Sequence, residues 1–289
     1  MFNFINLHNI FYNFNINNKP LCGIVGYGQI GSALNKIYKK YDFTTIIRDP
    51  YCQYNDTVEL CDIVNITIPF FSYDLFLTSL QELALNPKSI IIIHSTVAFG
   101  TINKLQDEFP DNKIIHSSVR GIHPNLMEGI QIFEKQLGIS DKYFNDQELR
   151  KILTLHFISL NIKTFISTSN ESELAKILST SIYGLLIALT EDIGKICDHH
   201  NLNFDMVYTK PQITYNEGYT KLGLIKFVRP VLSRIANEQK VIGGHCVIPN
   251  SILLKNVEPK DISNNISDFI LRYSNENSLV HNSKNIRDV

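Results

Sequence analysis

Six consecutive residues, Gly26-Tyr27-Gly28-Gln29-Ile30-Gly31, have the types and spacing to hold a diphosphate. The apolar run 21–25 precedes them. A helix is predicted over 32–41, with Ala33, Leu34, Ile37 and Tyr38 on one face. In a strand–turn–helix setting Gly26 permits the tight turn and Gly28 lets the backbone approach a pyrophosphate. Gly31 allows helix and strand to pack closely. The helix N-terminus adds free N–H groups and the positive end of its dipole. All six residues are therefore candidate dinucleotide contacts. A second β-rich run, 43–47, ends at Arg48-Asp49-Pro50. A carboxylate there binds the ribose hydroxyls of NAD, whereas an arginine accepts the extra phosphate of NADP. Both Arg48 and Asp49 are candidates; the reading is NAD, with NADP as the alternative.

Three further segments carry reactive groups. Ser95-Thr96 follows an apolar strand, Lys176 stands early in a long helical run, and Cys246 lies in Gly243-Gly244-His245-Cys246. A thiolate is a strong nucleophile, and an ammonium can stabilise a developing alkoxide. Set against this, most free cysteines are small buried apolar residues, and most helix lysines face solvent. His123, in Arg120-Gly121-Ile122-His123-Pro124, could serve as general base for hydride transfer, or could be a loop histidine bonded to backbone. His199 and His200 are adjacent and do not share a helix face, so they fit a helix C-terminus better than a metal site. No metal site is expected.

Elements that would position these groups can be traced along the chain. Apolar strands without strict alternation are predicted over 61–68, 89–93 and 113–116, separated by helices over 72–85 and 101–108. Such strands suit a parallel sheet covered on both faces. Helix 146–160 and strand 162–166 follow. Asn170 and Glu173 suggest a capping box opening a long helix to about His199, apolar on several stripes and so expected to be buried in a core or between subunits. Further helices are expected over 204–208 and 222–237. The fold class is α/β: a Rossmann-like, doubly wound, mainly parallel sheet over 20–168, then a helical domain over 169–260 built on the long buried helix. An Asn-rich extension (1–19) and a polar tail (261–289) flank them.

Across 289 residues, a net charge of −1 offers no basic surface for nucleic acid or anionic membrane. The five cysteines form no CxxC pair, which suits reduced thiols in the cytosol. The partners expected are a small-molecule substrate and a second copy of the chain docked through the long helix.

Taken in order, the glycine turn, Asp62 to Pro69 (D-x-V-x-x-x-x-P), Ser95-Thr96-Val97-Ala98-Phe99-Gly100-Thr101, Glu173-Leu174-Ala175-Lys176 and Gly243-Gly244-His245-Cys246 resemble the UDP-glucose/GDP-mannose dehydrogenase family. The resemblance covers about 21–254 and stops before that family's C-terminal nucleotide-sugar-binding domain. It implies an NAD-dependent, two-step oxidation of an alcohol to an acid. Cys246 would be the nucleophile, Lys176 the alkoxide partner, and Pro69, Ser95 and Thr96 cofactor neighbours. It also places Asn250 where the family has Asp, Thr180 where it has Asn, and Pro124 where it has a catalytic Glu. The 120–124 segment resembles prephenate dehydrogenases instead, with His123 beside the nicotinamide. A dinucleotide-binding sensor without turnover and an interaction protein pairing through the long helix are the competing readings.

Overall fold

A computed structural model describes residues 19–121, 124–243, 246–261 and 265–274. The chain divides into two compact units, one running to Leu174 and the other starting at Ala175.

The first unit is built on an eight-stranded sheet in the order β3-β2-β1-β4-β5-β6-β7-β8. Its strands are β1 (Cys22–Val25), β2 (Thr45–Asp49), β3 (Tyr54–Asn55), β4 (Ile63–Ile66), β5 (Ile90–Ile93), β6 (Lys113–His116), β7 (Lys135–Ile139) and β8 (Thr164–Thr168). The β2–β3 and β6–β7 pairs are antiparallel and all others parallel. This is the doubly wound architecture. The chain leaves β1 for β2 on one side and returns to β4 on the other, so the crevice over β1 and β4 is the topological switch point where such sheets bind ligands.

Short strands such as Ile90-Ile91-Ile92-Ile93 are buried throughout because helices cover both faces. One face packs Leu34, Ile37 and Tyr38 of α1 (Gln29–Lys40) with Leu149, Leu153 and Phe157 of α5 (Gln147–Ser159). The other packs Phe76 and Leu80 of α2 (Tyr73–Gln81) with Ile102 and Leu105 of α3 (Thr101–Glu108). The strand expected over 43–47 starts two residues later. Asp42 takes a left-handed turn (φ 55°), and Phe43 drops into the core with its ring 5.6 Å from that of Tyr38. Helix α4 (Leu126–Ile132) and strand β7 had no sequence-level counterpart.

Helix α6 (Ser169–His199) runs from the first unit into the second. Its capping box lies two residues earlier than Asn170/Glu173. The Thr168 N–H donates to Glu171 Oε2 (2.8 Å) and the Glu171 N–H donates to Thr168 Oγ1 (3.3 Å). The expectation of a buried helix holds only in part. In the single chain Ile182, Leu189 and Ile196 are 55%, 46% and 59% exposed. Among the described residues α6 is the one helix long and apolar enough to cross a membrane by length and composition. Ser181, Thr190 and Glu191 are nevertheless buried along it.

In the second unit the helix expected over 222–237 is absent. A five-residue π turn (Asp205–Thr209) leads instead into α7 (Lys210–Lys221), with Pro211 in its first turn. Gly223, at φ 70°, ends it. Only a 3-10 turn, Ile225–Phe227, follows before Pro230. Helices α8 (Val247–Lys255) and α9 (Ile266–Leu271) complete the unit. Gly184 is needed because a Cβ there would lie 2.4 Å from Val247 Cγ1, so α8 rides directly on α6.

Candidate functional site

The glycine turn joins β1 to α1. Gly26 has φ 90°, which a side chain would strain, and its N–H donates to the Arg48 carbonyl (2.9 Å). Its carbonyl accepts the Thr67 hydroxyl (2.7 Å). Gly31 is buried, and a Cβ there would stand 2.0 Å from that same carbonyl. Gly28 differs from both. Its backbone is extended (φ −71°, ψ −155°), open to any residue, and a Cβ would meet nothing within 4 Å. It is the N-cap of α1, with no side chain capping the first turn. Neither packing nor conformation accounts for a glycine there. The N–H groups of Gln29, Ile30 and Gly31 belong to that first turn, which no side chain caps, an arrangement that suits an anion.

Asp49 closes one side. Its Oδ2 accepts the Tyr27 N–H (2.6 Å), and its Oδ1 accepts the N–H groups of Tyr51 (3.0 Å) and Cys52 (3.3 Å). Three backbone donors leave one lone-pair direction of the carboxylate for a further donor. Tyr27 turns away from the turn: its hydroxyl accepts from Asn35 Nδ2 (2.8 Å) and its ring meets Tyr54 edge-on. Arg48 reaches the Asp56 carbonyl (3.4 Å). Pro69 is exposed just past β4. Ser95 donates to the Ile68 carbonyl, tying the loop after β5 to the loop after β4, and Thr96 follows half-buried. The cofactor candidates thus gather at the carboxyl ends of β1, β2, β4 and β5, along one edge of the sheet.

Beneath that edge lies a polar network. Asn65 of β4 donates to the Gly23 carbonyl (3.0 Å) and its Oδ1 meets His94 Nε2 (2.9 Å). Burial and the nearby Lys135 ammonium hold His94 well below the usual histidine range.

Of the catalytic candidates, Lys176 and Thr180 lie one turn apart on α6, and Cys246 and Asn250 one turn apart on α8. Thr180 Oγ1 contacts the Lys176 carbonyl (3.5 Å), and the Asn250 N–H donates to the Cys246 carbonyl (3.1 Å). Cys246 is exposed at the N-cap of α8, and Asn250 is buried. His123 lies outside the described residues, as do Gly244 and His245.

Two features escaped the sequence. Thr67, which braces the glycine turn from β4, gave no pattern of its own. Glu173 was assigned to its own helix, yet it accepts the N–H groups of Gly100 (2.6 Å) and Ile102 (2.8 Å) at the start of α3. The available signal was the second box, Thr168/Glu171, which leaves Glu173 without a local task.

No family model matches the chain, and no curated protein matches it. Solved structures do. UDP-D-ManNAc dehydrogenase from Pyrococcus horikoshii superposes with a TM-score of 0.66 at 13% identity, covering 88% of this chain and 68% of that one. UDP-glucose dehydrogenase from Pyrobaculum islandicum gives 0.65 at 12%, covering 90% and 68%. The 3-hydroxyisobutyrate dehydrogenase of Mycobacterium tuberculosis gives 0.64 at 11%, covering 88% and 92%. The fold is therefore that of these dehydrogenases: a Rossmann-like sheet followed by a helical region.

Proposed function

We propose that this protein is an NAD-dependent dehydrogenase acting on the CH–OH group of a small or sugar-like substrate. The observation that carries the reading is Gly28, a glycine that nothing in the protein requires, at the uncapped start of α1. The space over it suits a pyrophosphate, with the Gln29, Ile30 and Gly31 amides as donors. Bound there, the nicotinamide would accept hydride. The chain's own residues would supply the remainder: Asp49 would hold the adenosine ribose, and Ser95 and Thr96 would border the nicotinamide half. The Lys176 ammonium would stabilise a substrate alkoxide, and the exposed Cys246 thiol would be the nucleophile that adds to a carbonyl. The names of the similar structures, nucleotide-sugar and hydroxyacid dehydrogenases, support this substrate class. A screen of nucleotide sugars and 3-hydroxy acids with NAD, followed by absorbance of the reduced nicotinamide, tests it. Turnover of one class is expected, and silence across both would leave only a binding protein.

Asp49 supports NAD over NADP: its carboxylate stands beside the glycine turn and would repel a 2′-phosphate, while Arg48 contacts the Asp56 carbonyl. Asp49→Ser should weaken NAD and improve NADP, moving the affinity ratio by about tenfold or more, the equivalent of roughly 1.4 kcal/mol. An unchanged ratio in competitive binding would assign cofactor choice to another residue.

The chain pairs with a second copy through α6. Exposed Ile182, Leu189 and Ile196 recur every seven residues, the spacing of a helix–helix seam. Leu189→Arg should convert a dimer to a monomer by light scattering; an unchanged mass would place any interface elsewhere. The five unpaired cysteines support a cytosolic setting.

A further inference from the structure

Helix α3 begins without a cap of its own. Its N-cap is Gly100, at φ 80°, which has no side chain to accept the free amides. The acceptor comes from 71–73 positions away: Glu173, fully buried, takes Gly100 N–H on one oxygen and Ile102 N–H on the other. Gly100 ends the loop that starts at Ser95, so one carboxylate fixes the far end of the loop whose near end carries Ser95 and Thr96. The same turn of α6 is seated a second time by Ser172. Its hydroxyl meets His116 Nδ1 (2.8 Å), and it packs so close to Gly138 that a Cβ there would lie 1.9 Å from it. The loop is therefore held by a side chain rather than by its own sequence.

We infer that Glu173 is the positioning residue of the Ser95–Thr101 segment. As a carboxylate it keeps both α3 amides bonded and the segment in its dinucleotide-ready shape. As a carboxylic acid it holds only one of them well, so dinucleotide affinity is linked to a proton. The inference rests on the dinucleotide reading above. Asp141, beyond β7, acts on the Glu173 carboxyl electrostatically; His116 of β6 meets the neighbouring Ser172, and Glu171 stands two residues before Glu173 on α6. Asp141 is engaged by Asn103, which donates to it at 2.8 Å, and Glu171 by Thr168. Burial, with a smaller contribution from Asp141, pushes the Glu173 carboxyl up to about 7; the α3 amides oppose this without cancelling it. The change of state therefore falls in the neutral range.

Two readouts test this on the full chain. In the first, NAD affinity is measured by calorimetry from pH 8 to pH 6. The dissociation constant of the unmodified protein should rise about three- to tenfold, as for one linked proton. Glu173→Gln keeps the shape but turns an NH2 toward one of the amides; its affinity should be weak and flat with pH. Glu173→Asp should keep a pH response and recover part of the affinity. In the second readout, hydrogen exchange of the Gly100 and Ile102 amides, corrected for intrinsic rate, is followed without cofactor. Protection should fall on acidification in the unmodified protein and be low throughout in Glu173→Gln. A flat affinity profile in the unmodified protein, or a Gln variant with unaltered affinity, overturns the inference. Amides that respond to pH in a protein that binds no dinucleotide would overturn the functional reading instead, and with it the linkage to affinity.

Discussion

A Gly28→Val protein should melt at the same temperature as the unmodified chain and gain no stability when NAD is added. The first half follows from the backbone and the surroundings. At φ −71° and ψ −155° valine is comfortable, and a Cβ meets nothing within 4 Å. Restricting the unfolded chain favours the variant by about 0.4–1 kcal/mol, which offsets the roughly 0.5–1 kcal/mol lost when an apolar residue replaces a glycine N-cap. The second half follows from where the side chain goes: into the space over the first turn of α1, where the pyrophosphate must approach. Ligand at about 100 times its dissociation constant stabilises a folded protein by roughly 2.7 kcal/mol, a rise of several degrees. The unmodified chain should show that rise and the variant none. Gly31→Ala is the contrasting change. Its Cβ would sit 2.0 Å from the Gly26 carbonyl and 2.9 Å from Thr67 Oγ1, both of which hold the turn. It should lose both stability, by about 1–3 kcal/mol of overpacking, and binding. A Gly28→Val protein that still gained stability from NAD would place the cofactor, if one binds, away from this turn.

Arg234→Met should destabilise the second unit by about 3–5 kcal/mol, the range for stripping one partner from a buried ion pair. Arg234 lies in the non-helical stretch between α7 and α8. Its Nη2 donates to Glu191 Oε1 (2.9 Å) and to Asp198 Oδ2 (2.8 Å) on α6. Asp198 is exposed and contributes little. Glu191 is the consequential partner: its side chain is 1% exposed and also accepts the Ile235 N–H (3.0 Å). Gly194 leaves room for the guanidinium, since a Cβ there would be 2.2 Å from Arg234 Nε. Methionine fills similar volume but leaves the Glu191 carboxylate buried with a single donor. Adding Glu191→Leu to Arg234→Met should recover much of the loss. Urea midpoints at constant slope measure both. A loss below about 1 kcal/mol would mean that the pair is more hydrated than its burial indicates.

What the sequence revealed and what it concealed divide along the range of the interactions. The glycine turn, α1 and the apolar strands were legible because local pattern governs them: a turn needing positive φ at Gly26, a 3.6-residue apolar face on α1, and unbroken isoleucines in β5. The placement of Asp49 and Ser95 at one sheet edge followed once the strands were assigned. The stretch after α6 misled. Leu222, Ile225 and Val228 have helical spacing, yet Gly223 and Pro230 break the chain there, while Pro211 opens α7 in a segment that reads as polar loop. Helix α8 was hidden for a similar reason. Pro249 reads as a breaker, but it sits in the first turn, where no backbone donor is needed. Glu173 and Thr67 were illegible in principle: each acts on an element 40 or more residues away, on backbone groups that carry no sequence signature. The exposed stripe on α6 shows a different limit. Apolar periodicity marks which residues could be covered but not which face is, and Ile182, Leu189 and Ile196 stand exposed where burial was expected.

Calorimetric titration of NAD into the purified chain tests the central claim, that the amides of Gln29, Ile30 and Gly31 form a dinucleotide's phosphate site. Saturable binding at one site per chain is predicted, tighter than NADP and lost in Gly28→Val. An absence of binding heat across buffers of different ionisation enthalpy, or equal binding by the variant, would contradict it.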